Sequence, residues 1–142
     1  MPEVFPIHDL YIKPILLIEE PGSTRWPTLS DSDHILRRFG LAEVVRVQPE
    51  LPPKAHVREI ADEVWVLIEG RCEFYWHDLR ENSPTYDKRH RLMCDHPTLV
   101  LVPFGVAFAY QALDGAATFL RLATHADGEH EGDRQFPLEI EA

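Results

Sequence analysis

His56-Val57-Arg58-Glu59-Ile60-Ala61-Asp62-Glu63-Val64-Trp65-Val66-Leu67-Ile68-Glu69-Gly70 is the stretch on which the fold turns. Residues i and i+2 of a strand share a face, so His56 and Arg58 point the same way. A turn or bulge near Ile60–Asp62 brings Glu63 to join them, and an apolar run then leads to Gly70. The same texture continues outward on both sides. Ile15–Glu19, Leu41–Gln48, Val64–Ile68, Arg71–His77, Thr98–Val102, Ala107–Gln111 and Thr118–Ala123 are short runs rich in Val, Leu, Phe, Tyr and Trp, the composition of half-buried strands. With 12 prolines and 7 glycines interrupting the chain, many short strands imply a sandwich or barrel. Glu69-Gly70 reads as a hairpin-like turn between two of them. Asp31–Arg38, capped by Ser30 or Asp31, reads as the single short helix.

A chain of 142 residues is long enough to bury one sizeable core. Its net charge of −10, from 24 acids and 14 bases, repels phosphate backbones and argues against a nucleic-acid partner. No apolar run reaches the roughly 20 residues of a membrane helix. The N-terminus MPEVFPIHDL lacks the basic and apolar regions of a secretory signal. The expectation is a cytoplasmic protein without a membrane partner, with Cys72 and Cys94 as reduced thiols. Three segments are expected: a strand-and-loop extension over 1–40, a barrel over 41–124 and an acidic tail over 125–142. In that tail Asp127, Glu129, Glu131, Asp133, Glu139 and Glu141, with His125 and His130, are expected to be solvated.

The His-x-Arg-x4-Glu-x6-Gly spacing of residues 56–70 resembles the first cupin motif with its second ligand His replaced by Arg58. Pro103-Phe104-Gly105-Val106-Ala107-Phe108 resembles the second cupin motif with Phe108 in the His place. Asp78-Leu79-Arg80-Glu81-Asn82-Ser83-Pro84-Thr85-Tyr86 is similar to the Asp-Leu/Ile-Arg-x-x-Ser-Pro-Thr-Tyr/Phe segment of the dTDP-4-dehydrorhamnose 3,5-epimerase family. Thr118–Thr124 and Glu129-His130-Glu131 echo further segments of it. The resemblance, over about Val44 to Leu138, implies an all-β RmlC-like cupin, a double-stranded β-helix or jelly-roll barrel, and a homodimer. The family's catalytic His stands in a Leu-His-Tyr-Gln strand, matched to Val45-Arg46-Val47-Gln48, and its catalytic Tyr falls on Arg121. Neither proton-transfer residue is retained under that alignment.

Arg46, Arg58 and Arg121 are then expected to converge with His56, Glu63 and Gln48 in a cationic pocket, walled by Trp65, Phe108 and Tyr110. Guanidinium forks suit carboxylate, phosphate or sugar oxygens. The bland alternatives are a bracing ion pair between Arg58 and Glu63, and outward-facing Arg46 and Arg121, since a one-residue slip reverses a strand's faces. No cofactor is expected, because a guanidinium beside two ligands repels a divalent ion. The alternative is a zinc, iron, nickel or manganese ion on His56 and Glu63, with His77, His90 or His96 folding in as a third ligand. Three functions follow. The first is a metal-independent epimerase- or isomerase-like enzyme on a carbohydrate or small anionic ligand, with His56 as general base and Glu63 tuning it. The second is a cupin that binds a small molecule without turnover, and the third a metal-dependent dioxygenase or isomerase.

Overall fold

The computed structural model describes residues 7–30, 33–49, 54–127 and 132–137. Among them the strands are β1 (Ile12–Pro14), β2 (Ile18–Glu20), β3 (Ser23–Arg25), β4 (Leu41–Val47), β5 (Lys54–Val57), β6 (Glu63–Asp78), β7 (Arg89–Cys94), β8 (Thr98–Val102), β9 (Val106–Ala123) and β10 (Arg134–Pro137). The described residues include no α-helix. The all-β expectation holds.

Two strands carry the architecture. β6 and β9 run to 16 and 18 residues and pair antiparallel from Glu63 opposite Ala123 to Asp78 opposite Val106. Their register shifts at Leu67/Glu69 and again at Glu69/Arg71. Gly70 sits at that corner with φ of 96°, and a Cβ there would meet the Ala116 carbonyl oxygen at 2.7 Å. Positive φ combined with so close an approach selects glycine. Glu69-Gly70 is therefore a bulge inside one strand rather than the expected hairpin turn. The runs expected as separate strands at 64–68 and 71–77 are continuous, as are those at 107–111 and 118–123.

The corner divides the barrel into two facing sheets. Before it, β6 lies between β8 and the second half of β9, with β1 and β4 outside them. After it, β6 lies between β7 and the first half of β9, followed by β5 and β10. The interior between the sheets holds Trp65, Leu67, Phe74, Trp76, Phe108 and Phe119. Tyr75 faces the other way, with Ala55, Val57, Ala107 and Ala109. Outside the first sheet, Ile15, Tyr11, Leu29, Ile35 and Leu36 cover Val64, Val66 and Leu99.

Several local expectations change. Of the expected helix, Asp33 lies in a 3₁₀ turn and residues 34–38 are not helical: His34 takes a left-handed φ of 53°, which ends any helix there. Asp31, one of its two expected caps, lies outside the described residues. The strand expected at Ile15–Glu19 is displaced: Ile15–Leu17 belong to no strand, Ile12–Pro14 before them pairs β8, and Ile18–Glu20 forms an exposed hairpin with β3. Part of the expected tail is also sheet, since β10 pairs β5 with Arg134 opposite Val57. His125 is buried at 8 % exposure, its Nδ1 2.8 Å from Thr124 Oγ1. His130, Glu129, Glu131, Glu139 and Glu141 lie outside the described residues.

The Asp78–Tyr86 segment is a structural knot. Buried Asp78 accepts hydrogen bonds from Arg80 N and Nε at 3.0 and 2.9 Å, and from Ser83 Oγ and Thr85 Oγ1 at 2.7 Å each. Burial alone would raise its pKa, but these donors outweigh it and hold the carboxyl below the usual range. Arg80 in turn reaches the His8 carbonyl at 2.7 Å and packs against Gly105. The segment that carries the family resemblance thus ties the N-terminal stretch to the barrel.

Candidate functional site

A cavity of about 550 Å³ opens between β4, β5, β6 and β9, lined by Glu43, Val45, His56, Val57, Arg58, Trp65, Tyr110, Arg121, Asp127, Asp133 and Arg134. Strand pairing explains why these side chains meet. His56 lies opposite Phe108, Trp65 opposite Arg121, and Glu43 opposite Arg121, so the facing residues of four strands converge at one level.

Glu63 is the hub, with no exposed surface. Its Oε1 accepts from Trp65 Nε1 at 3.0 Å and lies 3.3 Å from His56 Nε2, while Oε2 accepts from Arg58 Nη1 at 2.7 Å and from Arg121 Nη2. Desolvation alone would push its pKa up. His56 and Arg121 reverse that and hold the carboxyl well below the usual range, so Glu63 is ionised. An ionised acceptor draws an N–H of His56 onto Nε2 and so orients the ring. The ring stands edge-on to Phe108, centroids 5.9 Å apart.

Two of the three cavity arginines, Arg58 and Arg121, are buried and heavily paired. Arg58 donates from Nε to Asp133 at 2.8 Å, lies 3.2 Å from Asp127, and reaches the His125 and Ala126 carbonyls at 3.2 and 3.1 Å. Arg121 donates from Nη1 to Glu43 at 2.8 Å, and from Nη1 and Nη2 to Asp127 at 3.0 and 2.7 Å. Burial opposes the charge of each, yet these carboxylates keep both pKa values above the ordinary arginine range. One donor of Arg121 has no acceptor: its Nε is buried and unpartnered. Arg121 also lies over the Trp65 ring, 5.7 Å from the centroid, and Trp65 packs on Tyr110 at 4.6 Å. An aromatic wall thus stands beside a polar floor.

The structure brings His56, Arg58, Glu63, Trp65, Tyr110 and Arg121 together. Phe108 is fully buried beneath His56, a support rather than a cavity wall. Arg46 and Gln48 are placed elsewhere: both are exposed, because Val45 and Val47 take the inward positions of β4. The expected cationic pocket is also corrected. Glu43, Glu63, Asp127 and Asp133 surround Arg58 and Arg121, and the convergence is a mixed ionic network. Glu43 was legible from the period-two pattern of β4; nothing in an acidic run marks Asp127 and Asp133 as the carboxylates that return to the barrel.

Among the described residues no group of three or more His, Cys, Asp or Glu could hold a metal ion. His77 and His96 are bonded to Asp87 and Asp95, at 2.8 and 3.0 Å, and His90 stacks near Trp76. With two guanidiniums and an indole already on the Glu63 carboxylate, the His56–Glu63 pair does not fit a divalent cation.

No family model matches the chain. The spore coat polysaccharide biosynthesis protein SpsL of Bacillus subtilis (strain 168) is 32% identical over 85 residues, which span 58% of this chain and 56% of SpsL. The chain thus matches little more than half the length of that relative. Among solved structures, a dTDP sugar isomerase from Desulfovibrio desulfuricans G20 superposes with a TM-score of 0.79 at 20% identity, covering 95% of this chain and 88% of that one. The dTDP-4-dehydrorhamnose 3,5-epimerase of Elizabethkingia anophelis NUHP1 gives 0.78 at 18% identity, covering 94% and 78%. The fold is that of the RmlC-like cupins.

Proposed function

We propose that the chain is a metal-independent epimerase- or isomerase-like enzyme acting on a carbohydrate-type ligand that carries an anionic group. The observation that carries this reading is His56 Nε2 held 3.3 Å from a fully buried, ionised Glu63 at the edge of an aromatic-walled cavity. A base so oriented takes a proton from the carbon beside a carbonyl. The negative charge then develops on the carbonyl oxygen. The Arg121 guanidinium, which lines the same cavity, is the cation suited to offset it. Trp65 and Tyr110 offer the flat apolar face on which sugar rings stack.

The names of the structural relatives, which act on dTDP-linked sugars including a 4-dehydro sugar, supply the substrate class. The match of Arg46 to the family's base gives way on structural grounds. Ala55-His56-Val57-Arg58 has the same apolar, His, apolar, polar order as Leu-His-Tyr-Gln, and its imidazole faces the cavity. Arg121, in the place of the family's Tyr, supports the second reading, binding without conversion.

The test is conversion of a dTDP-linked 4-keto-6-deoxy sugar, followed by NMR. The chain yields an epimer or isomer, and His56→Gln lowers the rate at least about 100-fold. Saturable binding with no product establishes the second reading. We further propose a cytoplasmic homodimer without metal cofactor. Exposed Leu16, Phe39 and Val44 support association. Free, buried Cys72 and Cys94, directly opposite across β6 and β7, suit a reducing compartment. Sedimentation equilibrium and metal analysis check these two statements.

A further inference from the structure

We propose that the Asp127 carboxylate is an internal occupant of an anion subsite formed by Arg58 and Arg121, and that a carboxylate or phosphate group of the ligand binds there by displacing it. The proposal rests on the reading of the cavity as a ligand site and names the group by which the ligand is held.

The two sides of this contact differ in how readily they can move. The Arg58 and Arg121 side chains are 7 % and 8 % exposed, whereas Asp127 is 62 % exposed. Arg121 offers Nη1 and Nη2 to the two oxygens of Asp127 at 3.0 and 2.7 Å, the fork-to-carboxylate geometry by which arginine recognises planar anions. Arg58 Nη1 flanks the same carboxylate at 3.2 Å. Asp133 is bound differently. It also accepts from the Glu59 backbone N at 2.8 Å and so belongs to the framework.

Charge favours exchange over addition. Glu43, Glu63, Asp127 and Asp133 outnumber Arg58, Arg121 and Arg134 around the cavity, so an extra anion would enter a negative site. A singly charged group that takes the place of Asp127 leaves the local charge unchanged, and a doubly charged one adds less than it would beside a seated Asp127, while the freed carboxylate returns to water, where its charge is well solvated.

Calorimetric titration of the whole chain with malonate and with inorganic phosphate tests this. Asp127→Asn removes the competing charge while keeping the shape, and should bind at least one probe about tenfold more tightly than the unaltered chain. Glu43→Gln removes an equal charge from Arg121 at a place outside the fork and should tighten binding by less than about threefold. Tightening with malonate alone assigns the subsite to carboxylates, and with phosphate alone to phosphoryl groups. No tightening in Asp127→Asn, or equal tightening in both variants, overturns the proposal. A crystal structure of the unaltered chain in malonate and phosphate gives a second readout independent of the variants. An anion between Arg58 and Arg121 with Asp127 turned out supports displacement; Asp127 still seated on Arg121 refutes it. Because these readouts are of binding, loss of the catalytic reading does not alter them, and their failure leaves proton transfer by His56 open.

Discussion

Glu63 is the residue on which the site depends. It holds two guanidiniums, an indole and an imidazole, and no solvent reaches it. Removing one partner of a buried pair leaves its mate uncompensated, at about 3–5 kcal/mol. Glu63→Gln should fall at the lower end of that range at pH 7, since Asp127, Asp133 and Glu43 still neutralise the arginines. The pH dependence follows from the direction of the shift. The folded pKa lies below the unfolded one, so the stabilisation is full above the ordinary glutamate range and fades as pH falls through the folded value. Urea unfolding should therefore show the gap between the native chain and Glu63→Gln narrowing below about pH 4. A gap that widens on acidification would contradict the ionised hub. At this scale the sequence was partly readable. The shared face of His56 and Arg58 follows from strand alternation, whereas Glu63 joins them only through the intervening turn, as the resemblance to the cupin motif implies. Arg46 and Gln48 were read from a motif match that conflicts with the alternation of Val45 and Val47, and burial of the valines wins.

At the scale of elements, the bend in β6 and β9 lets one pair of strands serve both sheets. Gly70 makes the bend possible, with φ of 96° and the Ala116 carbonyl where a side chain would begin. Gly70→Ala should destabilise by about 2 kcal/mol or more, from strain at positive φ plus a backbone clash. Gly115, near the same corner of β9, has nothing within 4 Å of a Cβ and should accept alanine with little change. Chemical denaturation of the two variants checks both, and equal losses would mean the corner is not the strained element. The strand content was legible from composition and punctuation, but the continuity through Glu69-Gly70 was not. A glycine after an acid is as good a sign of a hairpin turn as of a bulge, and pairing with the bend in β9, remote in sequence, decides between them. The expected helix failed for a similar reason. Its local pattern was adequate, but His34 takes a left-handed conformation while Ile35 and Leu36 cover the first sheet.

Across the whole molecule, the barrel brings residues from the beginning, middle and end of the chain to one cavity. Glu43, His56 and Trp65 come from β4, β5 and β6, Tyr110 and Arg121 share β9, and Asp133 immediately precedes β10. The acidic balance of the sequence argues against a nucleic-acid partner, but it concealed where individual carboxylates lie. Asp127 and Asp133 leave the expected solvated tail to neutralise the buried arginines, an arrangement that no local pattern encodes. The result is a chemically asymmetric site: an oriented imidazole on one side, a paired guanidinium with one unused donor on the other, and aromatic rings between them. Under the proposed function, such a site would move a proton at an activated carbon. Solvent deuterium exchange into a dTDP-linked 4-keto-6-deoxy sugar, followed by NMR in deuterated buffer, reads that step whether or not net product accumulates. The chain should place deuterium on a carbon next to the carbonyl, and His56→Gln should reduce the exchange rate at least about 100-fold. Exchange that persists undiminished in His56→Gln, or none at all with a ligand shown to bind, would contradict it.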